Sequence, residues 1–268
     1  MADITTFEVG YCLHPGCMAL RGAGWKVCRF PARVWLLASR GRRWLWDTGY
    51  SRYFDDATRD GIFQLYRRLT PVRFEPEEAL IHQLNAQGIQ ARDIDAVIIS
   101  HFHGDHIAGL RDFARVPAIC SAGGWRQTRH LRGFAALKRA FVPALIPENF
   151  EATLRFVESF SPVALPAELA PFERGYALPG SEREIILVPL PGHAAGHLGA
   201  FVLTDGGWVL LASDAAWSPR SYRENRGPSR LASLVLDDPP RYYHTLERLH
   251  RLYLNGAAEI RLCHEGDL

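Results

Sequence analysis

Six consecutive residues, His101-Phe102-His103-Gly104-Asp105-His106, hold four potential metal donors. No single face of a helix presents all four. The segment is therefore expected to be a sharply bent loop, with Gly104 permitting the backbone path that such crowding requires. A loop of this kind needs a rigid element before it. Ala96-Val97-Ile98-Ile99 is short, apolar and β-branched, and reads as a buried strand that delivers His101 at its carboxyl end.

The rest of the chain repeats that kind of delivery. Val34-Trp35-Leu36-Leu37-Ala38 and Trp44-Leu45-Trp46, either side of Ser39-Arg40-Gly41, read as two strands around a turn, the second running into Asp47-Thr48-Gly49. Ile185-Ile186-Leu187-Val188 leads to Pro191-Gly192-His193. Gly199 to Leu203 and Trp208 to Leu211 flank Asp205-Gly206-Gly207 as a hairpin whose second arm ends at Asp214. Glu259-Ile260-Arg261-Leu262-Cys263 leads to His264. His101, His193, Asp214 and His264 each follow a predicted strand, so side chains from separated segments can converge on one rim.

Helices are expected from Pro76, with Leu80, Ile81 and Leu84 on one face and Gly88 beyond, and from Pro239 to Leu254, capped by Asp237 or Asp238 and stopped at Asn255-Gly256. Around 120–180, Gly123-Gly124, several prolines and scattered aromatics interrupt any long periodic element, which predicts a cap of short helices and loops. The reading is one domain over 1–268 carrying that cap insertion. The apolar residues before Val34 (Phe7, Val9, Tyr11, Leu13, Met18 and Leu20) are expected to form a sheet edge or a homodimer contact.

Composition narrows the function classes. A hydrophobic fraction of 47% with 22% charged residues suits a folded globular chain. A net charge of +2 gives no electrostatic case for nucleic acid, and Arg40, Arg42 and Arg43 read as a solvated turn. No apolar run is long enough to span a bilayer, and Met1-Ala2-Asp3-Ile4-Thr5-Thr6 lacks the blocks of a signal peptide, so a cytoplasmic location without membrane partners is expected. Five cysteines without a CxxC pair argue for reduced thiols. Cys263, next to a candidate ligand along a strand, is expected to point to the opposite face, into the core.

Divalent ions of the zinc class accept imidazole nitrogen and carboxylate oxygen, and a catalytic site leaves a position open for water. The donors suffice for two ions: His101, His103 and His193 for the first, Asp105, His106 and His264 for the second, with Asp214 bridging both. Zinc is the expected metal, although iron, manganese and cobalt suit the same donors. Two dications against two carboxylates and a bridging hydroxide leave a positive centre that can polarise a carbonyl or phosphoryl oxygen. His14, His82, His130, His244 and His250 have no such context.

These motifs resemble those of the metallo-β-lactamase superfamily, whose HxHxDH element His101 to His106 matches without departure. Pro191 to His197 is similar to the family's PGHxxGH segment, Ser213-Asp214 to its bridging-aspartate motif, Cys263-His264-Glu265 to its last-histidine motif and Asp47-Thr48-Gly49 to its DTG element. The resemblance covers roughly Val34 to His264. It implies an α/β fold, a four-layer αββα sandwich with the metals at the edge between two sheets. It also implies that Asp47 orients the metal ligands from behind and that His197 supports them without coordinating.

Within the superfamily the chain is most similar to the N-acyl homoserine lactonase-like branch. That implies a small-molecule substrate, a lactone or related carboxylic ester, cleaved by attack of a metal-bridging hydroxide with Asp105 taking up a proton. The cap aromatics Trp125, Phe141, Phe150, Phe156 and Phe172 suit an acyl chain, and equally suit packing of the cap onto the body. One departure stands out. The branch commonly places a tyrosine three residues after the bridging aspartate, whereas this chain has Trp217, which donates only through its indole nitrogen. Trp217 is expected in the substrate pocket, with Tyr222 as the candidate replacement hydroxyl. The alternatives are phosphotriester, phosphodiester or thioester hydrolysis. A nuclease wants a large basic face, and a glutathione-linked thioesterase wants a basic segment after the last histidine. A non-hydrolytic metal-binding or redox module is the alternative of another class. It should have lost or exchanged ligands, and all seven positions are filled here.

Overall fold

The computed structural model describes residues 1–266 and 268. In chain order its strands are β1 (Asp3–Pro15), β2 (Val27–Ser39), β3 (Arg42–Trp46), β4 (Val72–Arg73), β5 (Ala96–Ile98), β6 (Ala118–Cys120), β7 (Leu154–Phe156), β8 (Pro162–Ala164), β9 (Arg174–Ala177), β10 (Ile185–Pro189), β11 (Leu198–Thr204), β12 (Gly207–Ser213) and β13 (Ala258–Leu262). They form two mixed sheets, a seven-stranded one ordered β4-β1-β2-β3-β5-β6-β7 and a six-stranded one ordered β13-β12-β11-β10-β9-β8. The α-helices are α1 (Arg52–Thr58), α2 (Gln64–Leu69), α3 (Leu80–Ala86), α4 (Gly104–Ile107), α5 (Ala122–Thr128), α6 (Gly133–Lys138), α7 (Phe150–Thr153), α8 (Pro219–Arg223) and α9 (Pro239–Asn255).

The period of two along the strands sorts the apolar side chains into three cores, and three cores imply four layers. Val34 and Leu36 of β2 and Val97 of β5 face one outer core, packed with residues of α1 to α3 and α5 to α7. Their neighbours Trp35, Leu37, Ala96 and Ile98 face the core between the sheets, where Ile185, Leu187, Val209 and Leu211 meet them from β10 and β12. Ile186, Val188, Leu210 and Ala212 point the other way, against Leu246, Leu249 and Leu252 of α9. The α/β sandwich expected from the sequence is therefore the fold observed.

Strand direction places the site. β3, β5, β6 and β7 run parallel to one another. In the second sheet β13 is parallel to β12, and β10 runs in the same direction because both β10 and β12 are antiparallel to β11. All these strands release their carboxyl ends at one rim. The rims are tied together by the Trp46 indole N–H, which donates to Ser213 Oγ (2.8 Å), and by the Leu198 N–H, which donates to the Ser100 carbonyl (2.9 Å). Asp47 and Ser213, the residues after β3 and at the end of β12, adopt left-handed backbone angles of φ 61° and 46°. Such strain costs on the order of 1–3 kcal/mol per residue. Burial of Trp46 beside both turns contributes about as much in the opposite direction.

Several expectations are corrected. The helix from Pro76 is interrupted at Ala79 (ψ 135°), leaving a single 3-10 turn before α3. The segment 120–180 carries short helices up to Thr153 as expected, but β7 then forms an edge of the first sheet and β8 and β9 form the edge region of the second. Of the apolar N-terminal residues, Tyr11 pairs with Arg73 of β4, but β4 meets β1 only at Tyr11 and Cys12 and does not reach Phe7 or Val9, so that stretch of β1 is a sheet edge as expected. The cysteines are free and buried. No helix among the described residues is long and apolar enough to cross a membrane.

Candidate metal centre

The loop after β5 does not stay a loop. His103 caps a single helical turn, α4, which raises Asp105 and His106 from its first turn. Gly104 is not left-handed. Its role is steric, since a Cβ there would come within 2.9 Å of Phe54 Cε2 on α1. Phe102, between the two histidines, turns away into a cluster with Trp125, Phe141 and Phe150 at ring distances of 5.2, 6.4 and 6.3 Å. Those cap aromatics anchor the loop from below, each pair contributing about 0.5–1.5 kcal/mol beyond burial. Phe172 lies elsewhere, packed on Phe201.

The loop after β10 is set by α9. The Asp237 and Asp238 N–H groups donate to the carbonyls of His193 and Gly192 (3.0 and 2.9 Å), and Thr245 Oγ1 donates to the Pro191 carbonyl (2.7 Å). Gly192, at φ 127°, lies so close that a Cβ would run into the backbone of Tyr242. His193 is thereby brought to His101 and His103. His193 Nε2 lies 3.1 Å from His101 Nε2 and 3.0 Å from His103 Nδ1.

Asp214 and His264 complete a second group. His264 Nε2 is 2.9 Å from Asp105 Oδ2 and 3.4 Å from Asp214 Oδ2, and His106 Nε2 is 3.6 Å from Asp105 Oδ2 and 3.4 Å from Asp214 Oδ1. Asp214 Oδ2 is also 3.3 Å from His193 Nε2, so this carboxylate faces both groups. The seven residues expected to converge do so.

Hydrogen bonds on the far sides of the rings choose the tautomers. A carbonyl can only accept, so His264 Nδ1 donates to the Pro31 carbonyl (2.6 Å), leaving Nε2 to face the centre. His106 Nδ1 donates to Asp47 Oδ2 (2.8 Å). The Ser100 hydroxyl donates to that same carboxylate (2.7 Å) and accepts from His101 Nδ1 (3.0 Å), while the Ser100 N–H donates to Asp47 Oδ1 (2.8 Å). Asp47 thus stands behind His106 and, through Ser100, behind His101. His197 donates through Nδ1 to the Leu190 carbonyl (2.8 Å), and its Nε2 accepts the Asp214 N–H (3.3 Å), a supporting contact. Such backing contacts fix ring orientation in metal sites.

The residues fit a pair of cations. His106 Nε2 and Asp214 Oδ1, which face the centre, are buried without a hydrogen-bond partner, an uncommon condition for polar atoms in a protein interior. Two donor groups, His101-His103-His193 and His106-Asp214-Cys263-His264, each have all their ligand atoms within 4.8 Å of one another. Burial, reinforced by neighbouring imidazoles, holds His101 well below the usual histidine range; burial likewise depresses His193, and lowers His103 to about 4. For His106 and His264 burial also pulls downward, but Asp105, Asp214 and other acidic neighbours outweigh it and push both well above that range. Burial pushes Asp105 and Asp214 upward, and the facing histidines reverse this, holding both below the usual carboxylate range.

Two expected substrate residues are placed differently. The Trp217 N–H donates to Asp214 Oδ2 (3.1 Å), with its ring edge-on to His193. It touches the proposed bridge itself. Tyr222 sits in α8 within the outer core, its ring against Tyr253, and is not brought to the donors. Ser100 and Ser213 were not singled out by sequence reasoning, and a lone serine at a strand end carries no signal of its own. Cys263 does face the core between the sheets, yet its Sγ belongs to the second donor group, contrary to the expected separation. Beside His103 and His193 a small pocket has an apolar wall of Phe102, Ala194, Ala195 and Val235, and the ion pair Arg139–Asp237 also lines it.

A profile of the metallo-beta-lactamase superfamily matches residues 29–255. A probable metallo-hydrolase of Mycobacterium bovis is 28% identical over 177 residues, 63% of this chain and 51% of that protein. The N-acyl homoserine lactonase AttM of Azorhizobium caulinodans is 26% identical over 194 residues, 71% of this chain and 65% of that protein. The chain thus spans about half the length of the mycobacterial relative that it matches. Among solved structures, an N-acyl homoserine lactone hydrolase with N-hexanoyl-L-homoserine at its catalytic metal centre superposes with a TM-score of 0.73 at 18% identity, covering 98% of this chain and 92% of that one. The dizinc quorum-quenching lactonase AidC gives 0.69 at 13% identity, covering 98% and 87%. At these identities the structural likeness speaks to the fold.

Proposed function

This chain belongs to the metallo-beta-lactamase superfamily, and on that premise we propose that it is a binuclear metal-dependent hydrolase of a lactone or related carboxylic ester. The observation that carries the reading is the position of Asp214. One buried carboxylate faces His193 of the first group at 3.3 Å and His106 and His264 of the second at 3.4 Å. His101, His103 and His193 would hold one ion, Asp105, His106 and His264 the other, with Asp214 between them and zinc the expected metal. When bound, such a pair supplies Lewis acidity at the ester carbonyl and acidifies the water that attacks it.

The chain's own groups do the rest. Asp105 Oδ2, 2.9 Å from His264 Nε2, is a carboxylate placed to accept the proton of the attacking water and return it to the departing alkoxide. The wall of Phe102, Ala194, Ala195 and Val235 takes the apolar part of a small neutral substrate. Trp217 spends its one N–H on Asp214, so it orients the carboxylate that would be shared by the two ions and has no donor left for the substrate carbonyl. The similarity to AttM supports the lactone over other esters. The test is a hydrolysis panel of lactones, aryl esters, thioesters and phosphotriesters on protein carrying two zinc ions per chain. Lactones or esters are expected to be turned over fastest. A preference for thioesters or phosphotriesters would reassign the substrate, and no turnover of any member would overturn the hydrolase reading.

A further inference from the structure

We propose that the Cys263 thiol is a protein ligand of the second ion, adding a soft sulfur donor to the group formed by His106, Asp214 and His264. The inference rests on the binuclear reading above. Cys263 is the first residue beyond β13 and only 1% exposed. Ile260 and Leu262 face the outer core under α9, so Cys263 faces the space between the sheets, at the end where the metal donors collect. Its Sγ, a ring nitrogen of His106, one of His264 and a carboxylate oxygen of Asp214 all lie within 4.8 Å of one another. With Asp105 the thiolate would make this ion five-coordinate, and donors held at about 2.0–2.3 Å from one ion lie no more than about 4.6 Å apart, so only a small inward movement separates this group from a coordination sphere.

A second observation points to a cation at the same place. His106 Nε2 and Asp214 Oδ1, both in this group, are buried without a hydrogen-bond partner. The thiol itself has only a weak bond to exchange, from Sγ to the Arg33 carbonyl at 3.1 Å. On ligation the S–H bond breaks, its proton passes to solvent and the sulfur gives an electron pair to the ion; a coordinating thiol is deprotonated outright. Cys12, Cys17, Cys28 and Cys120 are also free and buried, and among the described residues none joins such a group. Thiolate in the sphere favours zinc, cadmium or cobalt over manganese or magnesium, which gives this half of the centre a selectivity that its nitrogen and oxygen donors lack.

The experiment loads the full chain with zinc, counts ions per chain by native mass spectrometry and records zinc X-ray absorption. It then substitutes cobalt(II) and compares wild type with C263S in the near ultraviolet. Expected are two zinc ions, a sulfur scatterer at about 2.3 Å and a thiolate-to-cobalt charge-transfer band that C263S loses. Affinity for the second ion should fall about ten- to a hundred-fold in C263S, with the first unchanged. Two bound zinc ions without a sulfur scatterer, or a band that survives C263S, would overturn the inference and leave the binuclear reading standing. Uptake of a single ion would overturn both. If C263S fails to fold, the absorption spectrum of the wild type decides alone.

Discussion

Histidines make up both halves of the centre, yet His101, His103 and His193 behave as neutral bases while His106 and His264, on the other side of Asp214, hold their protons strongly. Burial is the largest influence on all five. In the first half Asp214, and for His103 also Asp105, draws the imidazoles upward, neighbouring imidazoles push them down, and burial wins. In the second half Asp105 and Asp214 both face them and Asp47 backs His106, so the summed negative charge wins. The same residue type is thus a ready lone pair in one place and a competed one in the other, and the charge of its neighbours decides which. An ion entering the first half near neutral pH has no proton to displace. An ion entering the second must displace the protons of His106 and His264.

The largest effect should come from the residue common to both halves. In D214N the shared charge is gone, and kcat/KM for the best panel substrate should fall about a thousand-fold or more, with loss of the second ion. A D214N protein that kept two ions and normal turnover would abolish the distinction between the halves. Next, D47N removes the negative charge of the carboxylate that accepts from His106 Nδ1 at 2.8 Å behind the second half, and replaces one of its acceptor oxygens with a donor. Affinity for the second ion should drop about ten- to a hundred-fold while the first is held as before, measured by competition with a chromophoric chelator. Equal losses at both would show that Asp47 braces the whole rim.

The pH dependence sharpens the same contrast. Since the His106 and His264 pKa values are raised, their protons are still bound at neutral pH, and affinity for the second ion should weaken as pH falls, by up to about ten-fold per unit for each proton displaced. His103 is lowered to about 4, so affinity for the first ion should stay level through the neutral and mildly acid range and fall only as pH approaches that value. Identical pH slopes in chelator titrations would contradict the electrostatic distinction. The smallest effect is expected of W217F, which removes one hydrogen bond to Asp214 Oδ2. A bond of that kind contributes about 1 kcal/mol net, so second-ion affinity should change by a few-fold.

What could be read in the chain beforehand was what is local. His101 to His106 are adjacent in sequence, and the strands that present His101, His193, Asp214 and His264 are apolar or alternating runs with marked ends. Most of the differences involve partners far along the chain; the break of the Pro76 helix at Ala79 is a local one. Gly104 was given a conformational role, but the reason for a glycine is Phe54, which only folding brings beside it. Tyr222 lies close enough to Asp214 in sequence to suggest reach, and α8 intervenes to turn it into the core against Tyr253. β7, β8 and β9 are too short to show a period of two, and they exist as strands because β6 pairs with β7, β10 with β9 and β9 in turn with β8. For Cys263 alternation holds, and the thiol faces the space between the sheets; it is His264, two residues beyond the end of β13, that the rule does not carry to the opposite face.

The most direct test of the paired centre is anomalous diffraction at the zinc edge from crystals of the zinc-loaded protein. Two peaks about 3.5–4 Å apart are expected, one touching His101, His103 and His193, the other Asp105, His106 and His264, with Asp214 reaching both. A single peak, or ions bound anywhere that leaves Asp214 out of contact with one of them, would contradict it.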